Sequence, residues 1–447
     1  MKKRFVTALV CAALLGSAPA QAVGSLSGGS HRPLEQRVAS AGNALWTQLR
    51  VASPGGPLAI IVPAEPGAAL DWSSPAWFEA LESATAPRIL PPNGIAACPG
   101  DEPASVVDVA GDLYHHDPLT PQEVIVLDDA GAVVSWAEQH GLVVSGAMWT
   151  ALLGLETAHR FVAARFTAPN GEALTPALRV TGLSAQAALP LVLTAAGNED
   201  LLVTTFVLGP GRAAFDGEPA SILLGSLTFD AASTESNYPF LRSSALESPG
   251  TWLLETTSRA ALTSTIQISG VSIDGALHTY FTRGALYLGG AVDAAQCIGE
   301  ATRALDSAGA FSQVCPRADL GVVSGGPSCS EAPGVIDAAR LRCGTALDDL
   351  AIGLSGQVAA SAWLSRIAIQ IPHTEHGSWR TVTFSSQAAI DPVLEAKSVD
   401  VSGCFGGGET SAASSGSSGS GGATGAAQVP VYPVDSSCGA REVGGDP

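Results

Sequence analysis

The N-terminus most constrains what this chain can fold into, because it decides the compartment in which folding happens. Three basic residues at positions 2–4 precede an uncharged apolar run, and Pro19 follows it. This order, closed by small residues up to Ala22, is typical of a cleavable secretory signal peptide. We therefore predict that signal cleavage follows Ala22 and that the mature chain folds in an oxidising compartment.

The same apolar run leaves one alternative open. Cys11 lies inside it, as in a lipoprotein signal, but Val10 stands where such a signal has a small residue. The run is shorter than the roughly 20 residues that span a bilayer, and no later apolar stretch reaches that length. We predict no transmembrane segment in the mature chain, which would be secreted, periplasmic or on the outer surface.

Charge restricts the partners of the mature chain. The sequence holds 22 basic and 41 acidic residues, and loss of the signal leaves 19 against 41, a net charge of −22. Nucleic acids and anionic membranes need a basic face, so we predict neither as a partner. Lys397 is the only mature lysine, which restricts lysine chemistry to that position and is typical of a GC-rich bacterial genome. The partner is unknown, with a cell-surface or envelope component as one candidate.

The order of elements predicts an α+β fold of mostly antiparallel sheet, with a cluster of N-terminal helices. Capping residues and apolar spacing indicate helices after Ser74, after Asp128 or Asp129, and after Ser145. Two more helices are predicted near 300–311 and 335–343. A strand-like pattern from Ala44 to Pro63 is predicted to be interrupted by a turn at Ser53–Gly56. Further strands are predicted at 161–167, 177–182, 190–195, 201–208, 220–229, 264–273 and 277–289.

Composition divides the chain into five parts, and the C-terminal one is low in apolar residues. They are a signal peptide (1–22), a flexible leader (23–43), an α+β domain (44–290), a disulfide-stapled, Cys-containing C-terminal region (291–402) and a disordered Gly/Ser-rich tail (403–447).

Five segments together resemble a bacterial family known as "domain of unknown function 2330". They are Leu58–Pro63, Trp77–Leu81, Thr120–Asp129, Trp136–Gly141 and Ala163–Pro169, and the resemblance covers roughly residues 44–290. Members are exported bacterial proteins, often from relatives of the myxobacteria, without an assigned activity. The resemblance thus implies export but no catalytic residues or cofactor. Unlike many members, this chain has no mature cysteine before Cys98.

Seven cysteines follow the signal, and six of them are disulfide candidates. These are Cys297, Cys315, Cys329, Cys343, Cys404 and Cys438. The first four are separated by 17, 13 and 13 residues, without the close pairs of zinc ribbons. We predict two disulfides among these four, with three pairings open. Cys404 and Cys438 bracket the tail, and a disulfide between them could close it into a loop. Cys98 is then left without a predicted disulfide partner.

One short stretch combines metal-binding side chains. On a strand, His373 and Glu375 would share a face, and His376 follows directly. A polar loop after Pro372 explains the same residues, so we predict no metal and no cofactor and keep the three as weak candidates.

Adjacent carboxylates and tryptophans have ordinary interpretations. Neighbouring side chains diverge on helices and strands, so we predict cap or surface roles for Asp128/Asp129 and Asp348/Asp349. Trp72 and Trp379 could stack against a sugar if exposed, but burial is the prediction.

Two functional hypotheses remain. No Gly-x-Ser-x-Gly turn and no phosphate-binding Gly/Lys loop is present. We therefore favour a non-enzymatic exported protein, structural or binding in role, of the cell envelope or exterior. The alternative is a secreted metal-dependent hydrolase that uses His373 and His376.

Overall fold

The longest strand runs through a segment that the sequence predicts as a turn. In the computed structural model, Ala44–Ala64 form one strand, β3. Gly55 and Gly56 continue this strand with φ of 92° and 116°, values that favour glycine. Their neighbour Ser53 pairs with Gly171, whose φ is 110°. The predicted turn is therefore wrong, because glycines let both paired strands bend together without ending.

The chain divides into two units, Met1–Phe405 and Gly406–Pro447, and the structure describes residues of the first. The described residues are 24–27, 31–102, 106–109, 118–156, 160–183, 188–190, 200–248, 250–259, 261–262, 266–268, 271–273, 275–307, 341–344, 347–358, 361–371 and 379–405. The predicted signal peptide, with its predicted cleavage site after Ala22, lies outside them, and so do the residues of the predicted tail from position 406.

Twenty-two strands and seven helices lie within the described residues. The strands are β1 (Gly24–Ser27), β2 (Arg32–Ala41), β3 (Ala44–Ala64), β4 (Ala69–Ser73), β5 (Arg88–Leu90), β6 (Asp108–Val109), β7 (Glu123–Leu127), β8 (Arg160–Leu174), β9 (Ala177–Thr181), β10 (Ala188–Pro190), β11 (Leu201–Gly209), β12 (Arg212–Phe215), β13 (Pro219–Ala220), β14 (Thr228–Asp230), β15 (Glu235–Ser236), β16 (Trp252–Arg259), β17 (Ile266–Ile268), β18 (Val271–Ile273), β19 (Trp363–Ile371), β20 (Trp379–Ser385), β21 (Val393–Glu395) and β22 (Ser398–Asp400). The helices are α1 (Ala76–Thr85), α2 (Ala130–Gln139), α3 (Gly146–Leu155), α4 (Tyr238–Ala245), α5 (Ala276–Tyr287), α6 (Ala294–Ser307) and α7 (Asp349–Gly353).

An 11-stranded sheet forms the centre of the fold, in the order β13-β16-β19-β11-β2-β3-β8-β7, with β1, β4 and β9 attached beside this path. Most pairings are antiparallel; β2 with β11 and β13 with β16 are parallel. The predicted fold class, α+β with a mostly antiparallel sheet, is confirmed.

Each face of the central sheet carries its own core. One face buries Val38, Val203 and Ile367. The other buries Trp46 and Phe206 beneath α1 and α5, which pack against each other. Helices α2 and α3 cover a third apolar cluster near β8. Within the described residues, no helix is long and apolar enough to cross a membrane.

The predicted flexible leader (23–43) is wrong for most of its length. Residues 32–41 are β2, which lies between β11 and β3 at the centre of the sheet. The segment looks solvent-exposed because it contains Glu35 and Arg37. Both side chains are nevertheless buried, since oppositely charged side chains meet them inside the fold.

The predicted strand at 277–289 is also wrong, because α5 occupies it. Its buried residues are Ala276, Tyr280, Phe281, Gly284 and Ala285, a helical spacing that the local alternation of polar and apolar residues conceals. The helices are spread from α1 to α7, so they do not form the N-terminal cluster that the sequence suggests.

The predicted boundary at 290/291 does not divide the fold. Strand β19 comes from the predicted C-terminal region, yet it lies between β11 and β16 in the central sheet. The segment 220–229 is likewise not one strand, since β13, a 3-10 turn at Leu224–Ser226 and β14 share it. Strands β8, β9 and β11 lie where the sequence predicts them.

Two disulfides link described cysteines. Cys297 and Cys343 are paired with a Cα–Cα distance of 5.7 Å, which fits the prediction of bonds among the four central cysteines. Cys98 is paired with Cys404 at 5.3 Å, so the expected odd cysteine is bonded, and Cys404 is not available to the expected Cys438 partner. Cys315, Cys329 and Cys438 lie outside the described residues.

We expect peptide mapping of non-reduced protein to recover both pairings. Peptides that contain Cys98 and Cys404 should co-elute as one linked species, as should those with Cys297 and Cys343. Reduction should separate each pair. A linked Cys404–Cys438 peptide would contradict the structure.

Candidate functional site

Charged side chains are buried between the central sheet and α1. Arg366 of β19 pairs with Glu82 of α1, and its Nε lies 2.7 Å from Oε2 of Glu255 on β16. Arg37 of β2 lies 3.7 Å from Glu82, and Arg242 of α4 lies 2.9 Å from Glu255. With Glu35, three arginines and three glutamates form one cluster, which we call the buried ion cluster.

Strand register and one irregularity assemble the buried ion cluster. Arg366 pairs with Phe206 on one side and with Thr256 on the other, so its side chain faces α1. The register of β16 shifts between Leu254 and Thr256, and Glu255 is the extra residue there. A bulge re-aims the side chain that it contains. It turns the Glu255 carboxylate towards Arg366.

The charges of the buried ion cluster stabilise one another. Burial by itself would raise the pKa of Glu255, but Arg242 and Arg366 outweigh it and lower that pKa. Burial would likewise lower the pKa of Arg366, yet Glu82 and Glu255 raise it. Glu255 and Arg366 are therefore held in their charged forms.

A cleft of about 320 Å³ opens over one edge of the buried ion cluster. Its floor includes Glu255 and Tyr238, whose hydroxyl donates a 3.1 Å hydrogen bond to Oε1 of Glu255. Its walls are mainly apolar, and the larger apolar side chains that line it are Ile222, Leu224, Leu253, Leu254, Ile390 and Leu394. We call this space the Tyr238 cleft.

Arg212 supplies the positive charge in the lining of the Tyr238 cleft. Its Nη1 donates a long 3.4 Å hydrogen bond to the carbonyl of Ala388, and no described carboxylate forms a salt bridge with it. The apolar wall continues to solvent, because Leu224 is 43% exposed. A mostly apolar concave space with few polar groups is the usual form of a small-molecule site.

The chemistry of the Tyr238 cleft favours binding over proton transfer. Glu255 accepts from Tyr238, Arg242 and Arg366, so its oxygens are already engaged. Burial, followed by the charge of Glu255, raises the pKa of Tyr238, which therefore stays protonated. Both groups therefore keep one charge state near neutral pH.

A second polar cluster corrects the prediction for Asp348 and Asp349. Asp349 is fully buried and accepts from the indole of Trp46 at 2.8 Å and from Arg179 at 2.8 Å. Asp348 also bonds to Arg179. The two carboxylates therefore converge on one guanidinium, with Asp349 buried and Asp348 half-buried. Asp348 lies just before α7, so the divergence of neighbouring side chains within a helix does not apply to this pair.

The other predicted positions have different outcomes. Asp129 caps α2, since its side chain accepts from the backbone N–H of Ala132, as predicted. Trp72 is half-buried rather than fully buried. His373, Glu375 and His376 lie outside the described residues, so the weak metal candidates stay a prediction. Among the described residues, no three His, Cys, Asp or Glu side chains are placed to hold a metal ion.

Sequence reasoning missed the buried ion cluster. Its visible signal is a charge beside apolar residues, as Arg366 is within Trp363–Ile371 and Glu255 directly after Trp252–Leu254. Charged residues are rarely buried without a partner, so such positions predict a buried ion pair once the run is known to be a strand.

No protein-family model matches the chain, and no match was found among curated proteins or solved structures.

Proposed function

We propose that the protein is an exported, non-enzymatic binding protein whose ligand is a small apolar molecule with one anionic group. The Tyr238 cleft carries this proposal. Its walls suit an alkyl chain, and Arg212 suits a carboxylate. Export is supported by the N-terminal pattern and by the two disulfides. Membership of residues 44–290 in the resembled family stays a prediction and adds no activity.

The charges around the cleft select for the proposed anion. Glu255 is neutralised by Arg242 and Arg366, so it does not repel an incoming carboxylate strongly. Arg212, in contrast, lacks a carboxylate partner among the described residues, and a guanidinium binds a carboxylate through two parallel hydrogen bonds. An alkyl chain would meet Ile222 and Leu253 on its way to the floor.

Calorimetric titration with dodecanoate, below its aggregation concentration, tests this proposal. We expect one site per chain and weaker binding of dodecanol, which has the same chain without the charge. Arg212→Gln should weaken dodecanoate binding roughly 10-fold, since a charge-assisted hydrogen bond contributes about 1.5–3 kcal/mol. The matched control is Arg303→Gln on α6, an exposed arginine outside the cleft.

A second pair of variants tests the apolar wall. Leu224→Asp places a carboxylate in the lining and should abolish dodecanoate binding, whereas Leu153→Asp on α3 should not. The two leucines are similarly exposed, at 43% and 40%, so both variants should fold. Equal binding by Arg212→Gln and wild type, or equal binding of dodecyltrimethylammonium, would refute the proposal.

A further inference from the structure

Strand β7 ends one side of the central sheet with an apolar edge. It pairs with β8, and no other described strand pairs with it. Every second N–H and C=O of such an edge strand points away from the sheet and can bond to another strand. Val124, Ile125 and Val126 are 48%, 36% and 54% exposed. Strand β7 therefore presents an open backbone edge together with three exposed apolar side chains.

These apolar side chains lie on both faces of β7. Val124 pairs with Ala164 of β8, which belongs to the core on one face of the sheet, and Val126 shares that face. Ile125 pairs with Ala163, which belongs to the apolar cluster beneath α2 and α3 on the opposite face. A strand added beside β7 would therefore meet apolar side chains on both of its faces.

The other free edges of the central sheet are protected against pairing. Proteins protect such edges with short strands, proline or exposed charge. Strand β13 has two residues and begins at Pro219, and β4 carries Asp71, whose side chain is 67% exposed. Strand β1 has four residues, and its one large apolar side chain, Leu26, is buried. The segment from Val124 to Leu127 has neither proline nor charge, so β7 is the edge suited to pair.

The charges that flank this apolar edge are already paired within the chain. Before it, Oε2 of Glu123 lies 3.1 Å from Nε2 of His140 and 3.5 Å from Nε of Arg165. After it, Oδ1 of Asp128 lies 3.3 Å from Nε of Arg160. Each flanking carboxylate therefore has a local cation that weakens its repulsion of an approaching acidic chain.

We propose that β7 pairs antiparallel with β7 of a second copy, so that the central sheet continues across a two-fold axis. With Ile125 opposite Ile125 of the second copy, Val124 of each copy lies opposite Val126 of the other. The edge is therefore complementary to itself, with apolar pairs on both faces. Such a contact uses the same edge of each copy and closes at two chains. None of its residues lines the Tyr238 cleft, so the pairing does not depend on the proposed ligand.

Sedimentation velocity measures this pairing on the oxidised chain that begins at Val23. A pair of five-residue strands is a small contact, so we expect half of the chains to be dimeric at roughly 10–100 µM. Samples should therefore span about 1 µM to about 500 µM, with a monomer at the low end and a dimer at the high end.

Two matched double variants test the register of the pairing. Val124→Lys/Val126→Glu places lysine opposite glutamate at both positions and should still dimerise. Val124→Lys/Val126→Lys places lysine opposite lysine and should dimerise at least 10-fold more weakly than the first variant, because like charges directly opposite destabilise a strand pair. Two added lysines also reduce the net negative charge, so general repulsion between chains predicts the opposite order.

A third variant controls for loss of exposed apolar surface elsewhere. Leu286→Lys on α5 changes a side chain that is 63% exposed and should leave dimerisation unchanged. Far-UV circular dichroism should be the same for all variants and wild type. A wild-type chain that stays monomeric at every concentration, equal dimerisation by the two double variants, or assembly beyond a dimer would overturn the proposal.

Discussion

Arg366→Met should lower the free energy of unfolding by about 3–5 kcal/mol, the usual cost of removing one partner from a buried ion pair. Methionine fills a similar volume but leaves Glu82 and Glu255 buried without their shared guanidinium. Urea unfolding followed by tryptophan fluorescence measures the change. Arg303→Met, at an exposed position of α6, is the control and should change stability by less than about 0.5 kcal/mol.

Acidification distinguishes charge from packing in this experiment. Folding lowers the pKa of Glu255 below its ordinary value of 4.5. The ionised carboxylate therefore stabilises the folded state fully at pH values above 4.5, and this stabilisation is lost as the pH falls through the lower pKa of the folded state. The difference between wild type and Arg366→Met should therefore shrink in acid. If Arg366→Met lowers the free energy of unfolding by less than about 1 kcal/mol at neutral pH, or by an amount that does not depend on pH, a charge-based role for Arg366 is refuted.

The second large effect concerns the disulfide between Cys98 and Cys404. It spans 306 residues, whereas Cys297–Cys343 spans 46. If disulfides act by restricting the unfolded chain, their loss costs about 6 kcal/mol and about 4 kcal/mol, respectively. We expect the double variant Cys98→Ser/Cys404→Ser to be the less stable of the two double variants.

Urea unfolding of both double variants and of wild type measures this order. Adding a reductant to wild type should lower its free energy of unfolding by at least the sum of the losses measured for the two double variants. The same reductant should lower the free energy of unfolding of a variant that lacks both disulfides much less. A larger loss from Cys297→Ser/Cys343→Ser would contradict the entropic account of these crosslinks.

Elements with strong local signals could be predicted from the sequence. Asp129 and Gly141 bound α2 because a capping carboxylate and a residue at positive φ act within a few residues of one another. Ser145 begins α3 for the same reason. Strands β9 and β11 were predictable because each is a short apolar run between turn residues.

The candidate sites depend on distant partners and could not be predicted. Nothing near Glu35 or Arg37 indicates that β2 is buried, because the compensating charge of Glu82 comes from α1. The Glu255 bulge arises only when β16 pairs with β19. Cys98 looks odd until the fold brings Cys404 to it. Local periodicity contains no information about such pairs.

The connectivity of the central sheet also sets the order in which the chain can fold. Strand β2 must wait for β11, which begins at Leu201, and β11 must wait for β19, which ends at Ile371. Contacts so far apart in sequence form slowly. In a chain that emerges N-terminus first, β2 would therefore lack β11 until residue 209 had emerged, and β11 would lack β19 until residue 371 had emerged. Until then the edge of β11 that later pairs with β19 is open, and an open strand edge can pair with a neighbouring chain, so we expect refolding at high protein concentration to lose material to aggregation.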